Sequence, residues 1–291
     1  VAVTNHRGHA TRIAQNAAKD GIDIVVVLGG DGTLNEVANG LVDSETALAA
    51  IPGGSTNVFA RTLGIPDDPI EATGVLLDSL EAGSTHRIGL GSVNQRYFLF
   101  HAGIGFDAAV VEQVEKKGGL LKRFAGHPLF VIAAIGTWLR YYDKKRPAFR
   151  ISTRKMGDEE IGDLETTGVE GLFSVCLNTD PYTYLGTRKI SLAPHANLDT
   201  PLAVVTFKNL TLKKLLPVIL GALGMGKTTT SSSRIVDLRS DLTEAQAIAY
   251  KAVPLQVDGD FLGNFDEFSF KYKAECLDVV MPIKPNDFQN S

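Results

Sequence analysis

One string limits what this chain can fold into more than any other: DIVVVLGGDGTLNEVANGL, residues 23–41. Its β-branched opening reads as a strand buried on both faces. Leu34, Val37, Ala38 and Leu41 then recur at helical spacing. Between the two runs, Gly29, Gly30 and Gly32 form a tight turn whose bare backbone N–H groups let phosphate oxygens approach closely. A strand ending at Leu28, a glycine turn and a helix opening near Thr33–Leu34 together make a phosphate cradle at a helix N-terminus. Asp31 is the odd member, because a carboxylate beside a polyphosphate is repulsive unless a cation intervenes. It points to Mg²⁺, held directly or through water. The plain alternative is a D-G turn with Thr33 as helix N-cap.

A second string competes for the same role. GALGMGKT, Gly221–Thr228, fits the phosphate-loop pattern G-x-x-x-x-G-K-[ST]. A working loop of that kind follows a buried strand and opens a helix at its Lys-Thr. Here TLKKLLPVILGALG, helical in spacing despite Pro217, comes before it, and TTTSSSRIVDL, loop then strand, comes after. Its glycines therefore close a helix, where Gly tolerates φ > 0 and the dipole repels phosphate. Lys227 is then the expected cation of a helix end, and the pattern match is coincidence.

Up to residue 83 the chain alternates. VAV is a short strand, a helix follows from about Ala10 to Lys19, and ALAAIPGG is a third strand after DIVVVLGG. DDPIEATGVLLDSLEAG is a helix with Asp68 as N-cap, Pro69 at its first position, Glu71 in its first turn and Gly83 past its end. This alternation predicts a parallel α/β sheet. At the C-terminal end of the ALAAIPGG strand, PGGSTN brings Ser55, Thr56 and Asn57 to the side of the sheet where open α/β folds bind ligands. From His86 onward, eight strand-like runs joined by turns, with helical insertions near 120–142 and 211–224, predict an all-β sandwich-like or barrel-like second domain. The predicted division is 1–85 and 86–291.

Net charge is −4 and no long basic run occurs, which excludes a general nucleic-acid binder. Cys176 and Cys276 are far apart in apolar runs, as expected of buried thiols in a reducing compartment. The N-terminal stretch lacks the apolar core of a signal peptide. PLFVIAAIGTWL, 128–139, is shorter than the ~20 residues that span a bilayer. The expected location is cytoplasmic, with peripheral membrane association. The six histidines show no metal-ligand spacing and read as surface or satisfied core residues.

GGDGTLNEVANGL, IPGGSTNVFARTLGIP, GIGFDA at 103–108 and VDGD at 257–260, in that order, resemble the diacylglycerol kinase catalytic-domain family, which includes bacterial lipid kinases and sphingosine kinases. The resemblance implies an NAD kinase/diacylglycerol kinase-like α/β nucleotide-binding domain with a β-sandwich, the active site lying in the cleft between them. It implies ATP and Mg²⁺. The phosphates would lie on Gly29, Gly30, Asp31, Gly32, Thr33, Leu34 and Asn35, with Ser55, Thr56 and Asn57 in the second loop and Thr4 matching a nucleotide-contacting threonine. Asp260 would take the place of the family's glutamate as proton acceptor, and Asp258 is the aspartate before it; read alone, the pair is also what a plain hairpin turn would use.

Four departures from the pattern are visible. The family's first strand and its glycine loop are missing, so either the sequence begins late or a sheet edge is exposed. Val58 stands where many members have Asp. NLDTPLA, 197–203, resembles the family's Mg²⁺ loop, with Asn197 and Asp199 as candidate ligands, but Thr200 and Pro201 replace Asp-Gly. DGD is one methylene shorter than DGE.

The activity implied is transfer of the γ-phosphoryl group of ATP to a primary lipid hydroxyl, diacylglycerol to phosphatidic acid. The lipid would be presented at a membrane surface, with a homodimer left open. GGLLKRFAGHPLFVIAAIGTWLRYYDKKR, 118–146, has an apolar centre, aromatic residues and basic ends, the composition of an interfacial helix or of a helix packed on its own domain. Two rival readings remain: an NAD kinase-type enzyme, and a catalytically silent lipid-binding homologue.

Overall fold

The computed structural model describes residues 1–116, 146–161, 163, 165, 167–225 and 233–283. They fall into two compact units, Val1–Leu90 with the segment from Ala274, and Gly91–Lys273. This differs from the division expected at residue 85. The alternating texture is local, whereas the return of the C-terminal strand to the first unit is a non-local pairing that no short pattern encodes.

In the first unit α1 (His9–Lys19), β1 (Ile24–Gly29), α2 (Asp31–Leu41), β2 (Ala47–Pro52), α3 (Val58–Thr62) and α4 (Pro69–Glu81) follow one another. The strands are parallel, Ile24 facing Ala47 and Gly29 facing Pro52. The end of the last strand, β13 (Asp260–Val280), adds to β2 in parallel, Val279 facing Leu48. Ala47, Ala49, Leu76 and Val280 form a buried cluster there.

The α4 cap is as expected: the Asp68 carboxylate accepts the Ile70 and Glu71 N–H groups at 2.9 and 3.0 Å. Two expectations fail. VAV forms no strand, and Val1 and Val3 are exposed. Nor is β1 buried on both faces: Val27 is buried, but Val26 and Leu28 are 49% and 68% exposed. Alternate residues point to opposite faces of the sheet, and the face carrying Val26 and Leu28 is open to solvent.

The second unit is antiparallel apart from its helices. β4 (Arg96–Phe98) turns back on β3 (Thr85–Val93), and β5 (His101–Gly105) leads into α5 (Phe106–Lys116). β6 (Phe149–Lys155), β7 (Val169–Gly171), β8 (Phe173–Leu177), the small hairpin β9 (Thr183–Leu185) and β10 (Arg188–Ile190), and β11 (Leu202–Phe207) follow. Then come α6 (Leu212–Ala222) and the long strand β12 (Val236–Val257), which with β13 forms one hairpin. β12 bonds β11 through its first part and β5 through its last. Since β11 pairs with β8 and β8 with β5, that ladder closes on itself. Closure removes edges that an open sheet would expose. Phe98, Phe149, Phe268 and Phe270 fill the interior.

Candidate nucleotide cradle and carboxylate turn

In the first unit, the turns following β1 and β2 touch. Register alone brings them level, because Gly29 faces Pro52 at the strand ends. The Gly53 N–H donates to the Gly29 carbonyl at 3.0 Å. A Cβ on Gly54 would stand 2.7 Å from the Gly30 Cα, so both turns need glycine for this approach. The α2 helix starts at Asp31 with no side chain capping it. Its N-terminal backbone and positive dipole end lie beside the paired turns, a site suited to phosphate oxygens. Gly29, Gly30, Asp31, Gly32 and Thr33 are half-buried, and Ser55 and Thr56 are exposed and half-buried respectively. Leu34 and Asn35 are buried. The Leu34 N–H bonds the Gly30 carbonyl, so this residue supports the cradle from the core instead of offering it a donor.

Asp31 has a use that sequence reasoning missed. Its two carboxylate oxygens accept the Val58 and Phe59 N–H groups at 3.0 and 3.1 Å, capping α3 and binding the second turn to the first. The helix end supplies the positive potential that makes this carboxylate tolerable, so a cation is no longer needed to explain it. Val58, in the position where relatives carry Asp, is buried and contributes its backbone. Asn57 adopts φ 49° and locks the turn, its Oδ1 accepting the Gly54 N–H at 2.8 Å and its Nδ2 donating to Asp67 at 2.7 Å. Asp67 was also missed; the signal was a second Asp directly before the N-cap Asp68, with no helix role of its own. Thr4 lies in the exposed, irregular stretch ahead of α1 and takes no part in this network. Glu36 caps α1 from α2, accepting the Gly8 and Ala10 N–H groups at 2.8 and 3.1 Å.

In the second unit, Val257 and Asp260 face each other and flank a two-residue turn, with Asp258 at φ 46° and Gly259 at φ 81°. Positive φ at both central residues is the hairpin turn that matches strand twist, and Asp-Gly is its preferred pair. The Asp258 carboxylate is buried and accepts the N–H groups of Leu99, Phe100 and His101 at 2.7, 3.1 and 3.1 Å. Three backbone donors tie this carboxylate down, and it fixes the turn. Asp260, half-buried, opens β13. Next to the turn His101 is buried against Tyr182, ring centroids 4.5 Å apart, and its Nδ1 has no partner. Burial lowers its pKa to about 3, so the ring is neutral. The expected satisfied core histidine is thus buried but not fully satisfied.

The 197–203 loop is closed by its own hydrogen bonds. The Asn197 Oδ1 accepts the Asp199 N–H at 2.9 Å and its Nδ2 donates to the His195 carbonyl at 3.1 Å. Thr200, which replaces the family's Asp, closes the loop with its own hydroxyl on the Asn197 carbonyl at 3.1 Å. Asp199 is the one carboxylate in this loop. Among the described residues no three His, Cys, Asp or Glu side chains gather. The phosphate-loop lookalike follows a helix that ends at Ala222, with Gly224 at φ 70°, as its context predicted; Gly226–Thr228 lie outside the described residues. So does nearly all of the 118–146 segment. Both cysteines are buried and neither is in a disulfide, and no described helix is long and apolar enough to cross a membrane.

Parallel strands with interlocked glycine turns at their C-terminal ends place the first unit among α/β folds that bind ligands at strand ends. Residues 1–93 match the family model described as the diacylglycerol kinase catalytic domain. A diacylglycerol kinase of Bacillus subtilis (strain 168) is 44% identical over 105 residues, 35% of this chain and 33% of the relative. A YegS-like lipid kinase of Chromohalobacter salexigens is 38% identical over 130 residues, 43% of this chain and 40% of the relative. The matches thus span only about a third to two-fifths of those relatives. A solved diacylglycerol kinase from Bacillus anthracis str. Sterne aligns over 97% of this chain and 84% of its own, with TM-score 0.63 and 20% identity. Another solved structure from the same organism covers 97% of this chain and 85% of its own, with TM-score 0.71 and 21% identity. These two likenesses establish the fold.

Proposed function

We propose that this chain is an ATP-dependent lipid kinase that phosphorylates the primary hydroxyl of diacylglycerol, giving phosphatidic acid. The observation that carries the reading is the pair of glycine turns at Gly29–Gly30 and Gly53–Gly54, held in contact and beside an uncapped helix start. The similarity to diacylglycerol and lipid kinases supports the choice of acceptor. In-line phosphoryl transfer passes through a loose, highly charged transition state, so positioning and charge neutralisation dominate. The backbone of Gly29–Gly32 would hold the phosphates, with the Thr33, Ser55 and Thr56 hydroxyls donating beside it and Asp31 keeping the two turns together. Mg²⁺ enters with the nucleotide as part of the substrate and neutralises its phosphate charge. The acceptor oxygen forms its bond to the γ-phosphorus as the β–γ bridging bond breaks, ADP leaves, and the hydroxyl proton passes to the Asp260 carboxylate. Asp258 holds the turn that presents Asp260.

Incubation with labelled ATP and a panel of diacylglycerol, sphingosine, monoacylglycerol and NAD, with products separated by chromatography, tests this. Label in phosphatidic acid is expected. Label in NADP would establish the dinucleotide rival, and ATP or lipid binding without any labelled product would establish the silent homologue.

A further inference from the structure

Within the second unit, α6 is apolar on both sides. Leu215 and Ala222 are buried and Val218 packs against the same cluster, which accounts for one face. On the other, Leu216 and Ile219 are 50% and 43% exposed, and Leu223 follows at the next turn. Met225 is 62% exposed just beyond. The β9–β10 hairpin continues this surface: the Ser191 N–H donates to the Ala222 carbonyl at 2.9 Å, the Arg188 guanidinium reaches the Met225 sulfur at 3.8 Å, and Leu185 is 40% exposed. A surface helix normally spends its outer face on polar residues.

The charged side chains on α6 and on the hairpin are all basic. Lys213 and Lys214 are exposed at the start of α6, and Arg188 and Lys189 are exposed on the hairpin. Neither 212–225 nor 181–195 contains an Asp or Glu. The nearby Asp180 is turned inward, its carboxylate taking the Leu192 and Ala193 N–H groups at 3.1 and 3.3 Å. An apolar stripe rimmed by Lys213, Lys214 and Arg188, with Lys189 beside the Asp180 carboxylate, is complementary to an anionic bilayer, whose acyl boundary takes the stripe and whose phosphates take the rim.

We propose that the outer face of α6 and the β9–β10 hairpin form a docking surface for an anionic lipid membrane. Leu216, Ile219, Leu223, Met225 and Leu185 enter the interface, and Lys213, Lys214, Arg188 and Lys189 lie against lipid phosphates. The surface deepens the lipid-kinase reading and rests on it for its purpose, placing the second unit where a diacylglycerol would be met.

Co-sedimentation of the full chain with vesicles, without nucleotide, tests it. Wild type should pellet with vesicles of equal parts phosphatidylglycerol and phosphatidylcholine, and far less with phosphatidylcholine alone. Leu216→Glu with Ile219→Glu should weaken this partition at least about tenfold. Lys213→Glu with Lys214→Glu should do the same and blunt its salt dependence. The exchanged side chains are exposed, so circular dichroism and Tm should not change; Leu216→Ser with Ile219→Ser serves should the glutamates disturb folding. Absent wild-type binding, or wild-type binding by both pairs of variants, overturns the proposal. So does a wild-type dimer that Leu216→Glu with Ile219→Glu splits while vesicles are ignored, since a second copy then covers the face. Phosphorylation of diacylglycerol in detergent micelles is read separately. Vesicle binding without turnover sinks the kinase reading alone, and turnover in micelles without vesicle binding sinks this one alone.

Discussion

Two aspartates separated by one glycine are set to different work by their surroundings. Asp258 is buried and tied to three backbone donors, whereas Asp260 stands half-buried at the start of a strand. Asp260→Asn should leave Tm unchanged and lower kcat by about 100-fold or more, with ATP affinity little altered. Asp258→Asn turns an amide donor toward backbone donors and should cost about 2–3 kcal/mol of stability, seen as a lower urea midpoint. Normal turnover by Asp260→Asn would place the base elsewhere.

His101 gives a pH test. Its folded pKa of about 3 lies below the unfolded value of 6.5, because burial opposes the charged ring. Between those values the unfolded chain binds the extra proton, so stability is intact above pH 6.5 and falls as the pH drops toward 3. The slope should reach about 1.4 kcal/mol per pH unit, and His101→Phe should remove that share of it in urea titrations at neutral and acid pH. The Asp-Gly turn was legible because turn chemistry is local. The donors on Leu99–His101 were not, because they come from a strand far away in the sequence.

The two glycine turns act as one element only while α3 stays fastened to Asp31. Asp31→Ala should lose about 0.5–2 kcal/mol as a cap and, by freeing the second turn, weaken ATP binding; Asp31→Asn should recover part of both. A melt together with an ATP titration checks this. An unchanged Tm with lost turnover would return Asp31 to the metal-ligand role that the sequence suggested. Gly54→Ala puts a methyl against the Gly30 backbone and should raise the Kd for ATP at least about tenfold. Gly74 is the contrasting case. It lies within α4 with open space around it, so Gly74→Ala should raise stability by about 0.5–1 kcal/mol and leave ATP binding alone. Strand, turn and helix were readable at the first glycine string, and strand and turn at the second, from period and punctuation. That Asp31 caps the helix after the second string was not, because its partners are backbone groups that carry no sequence signature.

At the scale of the molecule, the second unit is an insertion in the first. β1, β2, α2 and α4 were legible from their patterns, as was the change to antiparallel texture after residue 83. The return of Val279 and Val280 beside Leu48 and Leu76 was not, since EFSFKYKAECLDVVM alternates the same way throughout. A fragment of residues 1–90 should therefore melt without cooperativity, and the same fragment joined by a flexible linker to residues 274–283 should regain a sigmoidal transition in circular dichroism. Equal cooperativity in both would show that the last strand is dispensable to the first unit.

That late strand also sets a clock on the ribosome. Residues 1–90 leave the exit tunnel with the β2 edge at Leu48 unpaired and part of the α4 contact surface missing, and the strand that completes them is translated only after Lys273. At roughly 5–20 residues per second the delay is on the order of 10–35 s. Through that interval the nascent chain offers an open parallel edge, so mispairing of this strand is a hazard of synthesis more than of the finished fold.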